Sequence, residues 1–155
     1  MKIFIDGSAG TTGLRIKDRL MKRSDVELTT LSEEQRKDTE SRKQALNSAQ
    51  VAFLCLPDAA AVEAVELVEN PDTVIIDTST AHRTSEGWAY GFPELSAEFE
   101  DKIKNSKRIA VPGCHAGGFI ALVYPLVEAG VLGNDALLSC YSLTGYSGGG
   151  KKMIA

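Results

Sequence analysis

The residue best suited to covalent chemistry in this sequence is a cysteine set among glycines. Cys114 lies between Gly113 and Gly117, and the apolar spacing over 116–129 predicts a helix that starts just after the cysteine. The positive end of a helix dipole favours the thiolate, which is the nucleophilic form. Free backbone N–H groups at Gly117 and Gly118 would bind an oxyanion or a phosphate oxygen. The alternative is that Cys114 is a small buried hydrophobic residue.

A glycine-rich turn near the N-terminus is the second chemical feature. It follows the apolar run Lys2–Asp6, which predicts a strand, and it precedes a helical pattern. Strand, glycine turn and helix in this order are the context of a dinucleotide site, and Gly10 is expected to approach the pyrophosphate. A plain tight turn without a ligand is the alternative. The predicted cofactor-binding residues here are Gly7, Ser8, Ala9, Gly10, Thr11, Thr12 and Gly13.

The segment after the second predicted strand, Val26–Leu31, bears on the choice between NAD and NADP. An acid near the end of this strand suits the ribose 2′-hydroxyl of NAD, whereas hydroxyls or cations suit the 2′-phosphate of NADP. Ser32 and Arg36 favour NADP, but the neighbouring Glu33 and Glu34 keep NAD open. A charged loop in solvent is a third interpretation.

The rest of the pattern alternates apolar runs with helical spacing. This alternation predicts an α/β fold, a doubly wound parallel sheet of the Rossmann type, followed by the start of a second, α+β domain. We expect residues 1–112 to bind the cofactor and residues 113–155 to begin the substrate domain. The remaining predicted strands are Val51–Leu56, Thr73–Ile76, Lys107–Val111 and Ala136–Tyr146, and further helices are predicted over 39–50, 59–69 and 116–129.

Strand ends in such a sheet face the ligand crevice, and several polar or turn residues follow them. Leu56 and Pro57 are predicted to contact the adenosine or ribose, and Asp58 to cap the next helix. Cys55 is predicted to be core because an apolar run surrounds it.

A polar cluster follows the fourth predicted strand. Arg83 is a candidate for binding an anionic substrate, and His82 or Glu94 for proton transfer, although such groups also brace loops. Near the C-terminus, Ser147 and Gly148 belong to a glycine-lysine segment that resembles an anion-binding loop, with a flexible tail as the alternative.

Composition excludes several classes of protein. The 155 residues carry 17 Lys and Arg against 21 Asp and Glu, a net charge of -4 without a basic stripe, which argues against nucleic acid. Apolar runs fall short of the ~20 residues of a membrane span, and no signal peptide precedes the first strand, so we expect a cytoplasmic protein. Three widely spaced cysteines argue against a disulfide framework or a metal site.

Five motifs occur in one order: the N-terminal glycine turn, then 77–83, 90–95, 112–118 and 144–151. Together they resemble the N-acetyl-gamma-glutamyl-phosphate reductase family of arginine biosynthesis, in its shorter type 2 form. The resemblance covers essentially the whole chain, although members of that family are considerably longer.

The resemblance implies an NADP-dependent acyl-phosphate reductase that acts on a small molecule and forms a homo-oligomer. Cys114 matches the nucleophile, which would attack N-acetyl-gamma-glutamyl phosphate to form a thioester that hydride from NADPH reduces to the semialdehyde. The family's acid/base histidine would lie beyond Ala155, so this chain alone is expected to be inactive.

Two competing interpretations remain. Aspartate-semialdehyde dehydrogenase follows the same plan, but its cysteine normally follows an asparagine, whereas Gly113 precedes Cys114 here. A non-catalytic NADP-binding or dimerising module is the second.

Overall fold

The computed structural model describes residues 1–145 and Gly148, and it contains one six-stranded sheet in which every neighbouring pair of strands is parallel. The strands are β1 Lys2–Asp6, β2 Glu27–Thr29, β3 Val51–Leu54, β4 Val74–Asp77, β5 Ala89–Tyr90 and β6 Arg108–Ala110. The helices are α1 Thr11–Leu20, α2 Thr39–Ser48, α3 Asp58–Glu66, α4 Ala97–Asn105 and α5 Cys114–Glu128, with a 3₁₀ turn at Pro93–Leu95. The predicted α/β class with a doubly wound parallel sheet is confirmed.

The strand order β2-β1-β3-β4-β6-β5 sets the position of the crevice. Strand β2 lies on one side of β1, and the chain then crosses over to place β3 on the other side of β1. Because parallel crossovers are right-handed, α1 and the helices α2 and α3 cover opposite faces of the sheet. Ligands of such sheets bind outside the carboxyl ends of the strands at the point where the order reverses, here between β1 and β3.

The core lies between the sheet and the helices α2 and α3. Alternate strand residues face these helices, because successive side chains of a strand point to opposite faces. Small alanines on the helices allow close packing against the sheet. The core cluster comprises Phe4, Ala45, Leu46, Ala49, Ala52, Leu54, Ala64 and Ile75.

Two helices begin earlier than the sequence pattern predicted. Helix α3 starts at Asp58 with Pro57 at its N-cap, so the prediction that Asp58 caps the helix is wrong. The Asp58 carboxylate instead accepts hydrogen bonds from the backbone N–H and hydroxyl of Thr80. Helix α5 starts at Cys114 with Gly113 at its N-cap, two residues before the predicted start.

The strand predicted at Ala136–Tyr146 is wrong over its described part. Residues 136–145 form no strand and join none of the six strands of the described sheet, while Tyr146 lies outside the described residues. Apolar alternation alone does not make a strand, because its backbone groups need a neighbouring strand. On helix α5, the side chain of Leu122 is 75% exposed. No helix of the described chain is long and apolar enough to cross a membrane.

Candidate active site

The turn between β1 and α1 is shaped by contact with the end of β3. Gly7 has φ +83°, and a Cβ there would lie 2.2 Å from the carbonyl oxygen of Cys55. A Cβ on Gly10, by contrast, would make its nearest contact at 3.4 Å, an ordinary van der Waals distance. The fold therefore requires glycine at position 7, while position 10 has room for a side chain unless a ligand approaches the backbone there.

Cys55 lies behind this turn. Burial raises the pKa of its thiol to about 11, with Asp6 and Asp77 adding to the rise and the Thr78 hydroxyl opposing it. A thiol with this pKa is almost entirely protonated at neutral pH and is a poor nucleophile. Cys55 is only partly buried, lies outside the core cluster and lines the pocket beside this turn, so the prediction that it belongs to the core is wrong.

A pocket of about 300 Å³ opens at the switch point between β1 and β3. Of the predicted cofactor residues, the structure brings together Gly7, Ala9, Gly10, Arg36, Leu56 and Pro57 along its wall. Ser32 does not line this pocket, because its hydroxyl accepts a hydrogen bond from the backbone of Gln35 and closes a local turn. Ser8 and Gly13 are not among the lining residues either.

Two charged residues line the same pocket without having been predicted as site residues. Asp6 ends β1 and is 4% exposed, and Arg42 on α2 donates from Nε and Nη2 to its Oδ2 at 3.0 Å and 2.9 Å. The only sequence signal for this pair was a carboxylate at the end of an apolar strand. Its partner is 36 residues away and becomes apparent only in the fold.

Cys114 is exposed and occupies the first position of α5. Because the helix starts here, the N–H groups without helical partners are those of Cys114, His115 and Ala116. The N–H of Gly117 donates to the Gly113 carbonyl at 2.6 Å, so the prediction that Gly117 offers a free N–H is wrong.

The guanidinium of Arg83 packs against the turn that precedes the cysteine. Its Nε donates to the carbonyl of Val111 at 3.0 Å and its Nη2 to that of Thr78 at 3.3 Å. A Cβ on Gly113 would lie 2.5 Å from Nη1. The two hydrogen bonds hold a positive charge beside Cys114 and join the ends of β4 and β6.

One cleft of about 850 Å³ connects the glycine-turn helix with the thiol. Its wall includes Thr11 and Thr12 at the start of α1, and Arg83 and Cys114 on the opposite side. Gly148 also lines this cleft, whereas Ser147 lies outside the described residues. The predicted phosphate-binding turn and the predicted nucleophile therefore share one cleft.

A second cavity, of about 450 Å³, adjoins Cys114 and is largely apolar. Its lining includes Phe119 and Leu138, and within the described part of the chain only Cys114 and His115 line both cavities. The His115 ring is hydrogen bonded through Nδ1 to the hydroxyl of Ser142, which holds residues 138–142 near the start of α5. The sulfur thus stands between a polar cleft and an apolar cavity.

His82 braces its loop. Its Nδ1 lies 2.7 Å from Oδ2 of the fully buried Asp77, and its ring stacks on Trp88 at 4.1 Å. It lines neither cavity beside Cys114, and neither does Glu94, which is exposed on the 3₁₀ turn. The structure therefore separates both candidates for proton transfer from the thiol.

A family model described as semialdehyde dehydrogenase, NAD binding domain, matches residues 2–105. The chain belongs to the semialdehyde dehydrogenase family. Its match includes the glycine turn, the switch-point pocket and the Arg83 loop, and it ends before Cys114.

Relatives of this chain carry a more specific name. The chain is 51% identical over 152 residues to N-acetyl-gamma-glutamyl-phosphate reductase 2 of Pseudomonas putida, and the match covers 98% of this chain and 49% of that protein. It is 54% identical over 153 residues to N-acetyl-gamma-glutamyl-phosphate reductase of Chelativorans sp., covering 99% and 49%. The resemblance drawn from the five motifs is confirmed, and the chain spans about half the length of the curated relatives it matches.

The fold is also that of solved semialdehyde dehydrogenases. Aspartate semialdehyde dehydrogenase of Candida albicans, solved with NADP, superposes with a TM-score of 0.57 at 18% identity, over 82% of this chain and 46% of that one. At this identity the likeness concerns the fold alone.

Proposed function

We propose that this chain is the dinucleotide-binding and nucleophile-bearing part of an NADP-dependent reductase of N-acetyl-gamma-glutamyl phosphate. The observation that carries the proposal is the cleft in which an exposed Cys114 faces the start of the glycine-turn helix. The substrate is inferred from the names of the relatives. We propose that residues 113–155 begin the domain that binds this substrate. Whole-enzyme catalysis, homo-oligomer formation and a cytoplasmic location are parts of the same proposal.

The residues present fit a dinucleotide. Among the described residues, no side chain covers the backbone at Gly10, so the pyrophosphate of the dinucleotide could approach it there. The free N–H groups at the start of α1 suit phosphate oxygens. The buried Nε of Arg36 has no hydrogen-bond partner among the described residues, as expected of a group that awaits an anion. Leu56 and Pro57 would cover the adenosine side. When bound, NADPH supplies the hydride that reduces the acyl group.

Cys114 would act as the nucleophile on the acyl phosphate. Its thiolate attacks the acyl carbonyl, the carbonyl π bond breaks to give a tetrahedral oxyanion, and the C–O bond to phosphate then breaks to leave a thioester. The N–H groups of His115 and Ala116, which have no helical partner, would stabilise the oxyanion, and Arg83 would hold the departing phosphate. The apolar cavity suits the methylene chain of the acyl group.

The acylation half-reaction tests this proposal on the chain as it exists. Mixing the chain with N-acetyl-gamma-glutamyl phosphate should release one burst of phosphate, with a matching acyl adduct on Cys114 found by peptide mass spectrometry. Cys114→Ser should abolish the burst, and the matched variant Cys55→Ser, whose side chain lines neither cavity beside Cys114, should retain it.

Two results would overturn the proposal. One is an adduct on Cys140 or Cys55 with Cys114 unmodified. The other is a chain that binds neither NADPH nor NADH and shows no acylation, which would favour a structural module without catalytic chemistry.

A further inference from the structure

The pocket at the switch point contains a guanidinium that the fold leaves unsatisfied. The Nε atom of Arg36 is buried and lacks a hydrogen-bond partner within residues 1–145 and Gly148. Buried polar atoms almost always have partners, so an exception calls for an explanation such as a ligand. Arg36 lines the pocket that also contains Gly7 and Gly10.

A second guanidinium lines this pocket, and a carboxylate orients it. Arg42 uses Nε and Nη2 to bind Oδ2 of Asp6, and its side chain is 14% exposed. This contact engages one edge of the planar guanidinium. Its Nη1 has no acceptor in the described part of the chain, so it remains available to an incoming anion.

The charges that face the pocket favour a phosphate. Two guanidiniums and one carboxylate give a net positive charge. The acidic residues that left NAD open, Glu33 and Glu34, do not line the pocket and are exposed. In this fold the segment after β2 lies where the adenosine ribose binds.

We propose that Arg42, positioned by Asp6, joins Arg36 in binding the 2′-phosphate and sets the preference for NADP over NAD. The inference rests on the proposed function, because it requires a dinucleotide in the crevice. It adds to that function a specificity residue on α2 and a positioning role for Asp6, whose Oδ2 fixes the Arg42 plane. Asp6, at the end of β1, thus orients a cation that lines the pocket.

The test compares the affinities of NADPH and NADH, measured by titration calorimetry with the purified chain. Arg42→Gln should lower the affinity for NADPH by about 10- to 100-fold, the range for a hydrogen bond to a charged group. It should change the affinity for NADH by less than about threefold. Arg36→Gln should show the same pattern, and it breaks no hydrogen bond within the described chain. Arg42→Lys should recover part of the NADPH affinity because the charge remains.

The matched control is Lys43→Gln, which removes the adjacent cation on α2. Lys43 does not line the pocket, and its Nζ forms a salt bridge with Glu69. This variant should leave both affinities unchanged. Equal losses for NADPH and NADH in Arg42→Gln and Arg36→Gln would overturn the inference, and so would a wild-type chain that binds both dinucleotides equally. A wild-type chain that binds neither would instead overturn the proposed function.

Discussion

The ends of β3 and β6 present two cysteines at the same edge of one sheet, in opposite surroundings. Cys55 is partly buried behind the glycine turn and lines the switch-point pocket, and burial raises the pKa of its thiol to about 11. Cys114 is exposed at the first position of a helix and lines two cavities. The residue type is the same, so the backbone around each cysteine decides how far its thiol is exposed.

The glycine beside each cysteine differs in the same way. Gly7 packs against the backbone carbonyl of Cys55, whereas Gly113 packs against the side chain of Arg83. A side chain at position 7 would have to displace the backbone at the end of a strand, whereas a side chain at position 113 would only have to displace a guanidinium, which can rotate away. The turn near β3 is therefore fixed by backbone contact, and the turn near β6 is braced by the guanidinium of Arg83.

The largest expected effect is on stability at the first of these turns. Gly7→Ala places a Cβ 2.2 Å from backbone in a residue with φ +83°, and it should lower the free energy of unfolding by about 3–5 kcal/mol. Gly113→Ala displaces only Arg83 and should cost less than about 1 kcal/mol. Urea denaturation of the two variants measures the difference. Similar losses in both would remove the contrast between the turns.

The second effect concerns thiol reactivity. A rise in pKa from 9.0 to about 11 lowers the thiolate fraction of Cys55 about 100-fold at neutral pH. Because Cys114 is exposed and Cys55 is partly buried, iodoacetamide should label Cys114 at least ~10-fold faster than Cys55 in the folded chain. Peptide mass spectrometry provides the rates, and the same labelling in denaturant should bring them together. Equal rates in the folded chain would contradict the comparison.

The third effect is a loss of stability in alkali. Because the folded pKa of Cys55 lies above its ordinary value of 9.0, the folded state holds its proton more tightly. This contribution is complete below pH 9.0 and disappears as the pH rises through about 11, in total about 1–2 kcal/mol after allowance for partial exposure. Unfolding free energies of the wild type should fall more steeply over this window than those of Cys55→Ala. Cys114→Ser should follow the wild type.

The smallest effect lies between the two regions, where Asp58 accepts hydrogen bonds from Thr80. The Thr80 hydroxyl, followed by its backbone N–H, lowers the pKa of Asp58 below 3.8, with Arg83 and His82 contributing. The stabilisation is present above 3.8 and disappears as the pH falls through the lower, folded value. Thr80→Val should move the Asp58 pKa upward in an NMR titration, whereas Thr84→Val should not. An unchanged pKa would show that the hydroxyl contact is unimportant in solution.

Local sequence was enough for part of this structure. The order of strand, glycine turn and helix predicted β1 and α1, and the alternation of apolar runs predicted the parallel sheet. These features depend on neighbouring residues, since periodicity and backbone freedom are encoded within a few positions. Helix starts were less certain, because Pro57 and Gly113 cap α3 and α5 without a side-chain hydrogen bond that a sequence motif would indicate.

The sequence by itself determined the class of fold, the glycine turn and Cys114 as the thiol to examine. Only the tertiary structure decided that this thiol and that turn share a cleft, and that Asp6 holds Arg42 in the same pocket as Arg36. It also decided that residues 136–145 have no strand partner within the described chain. The physical reason is distance along the chain. Contacts between residues tens of positions apart depend on strand order and packing, which no local pattern records.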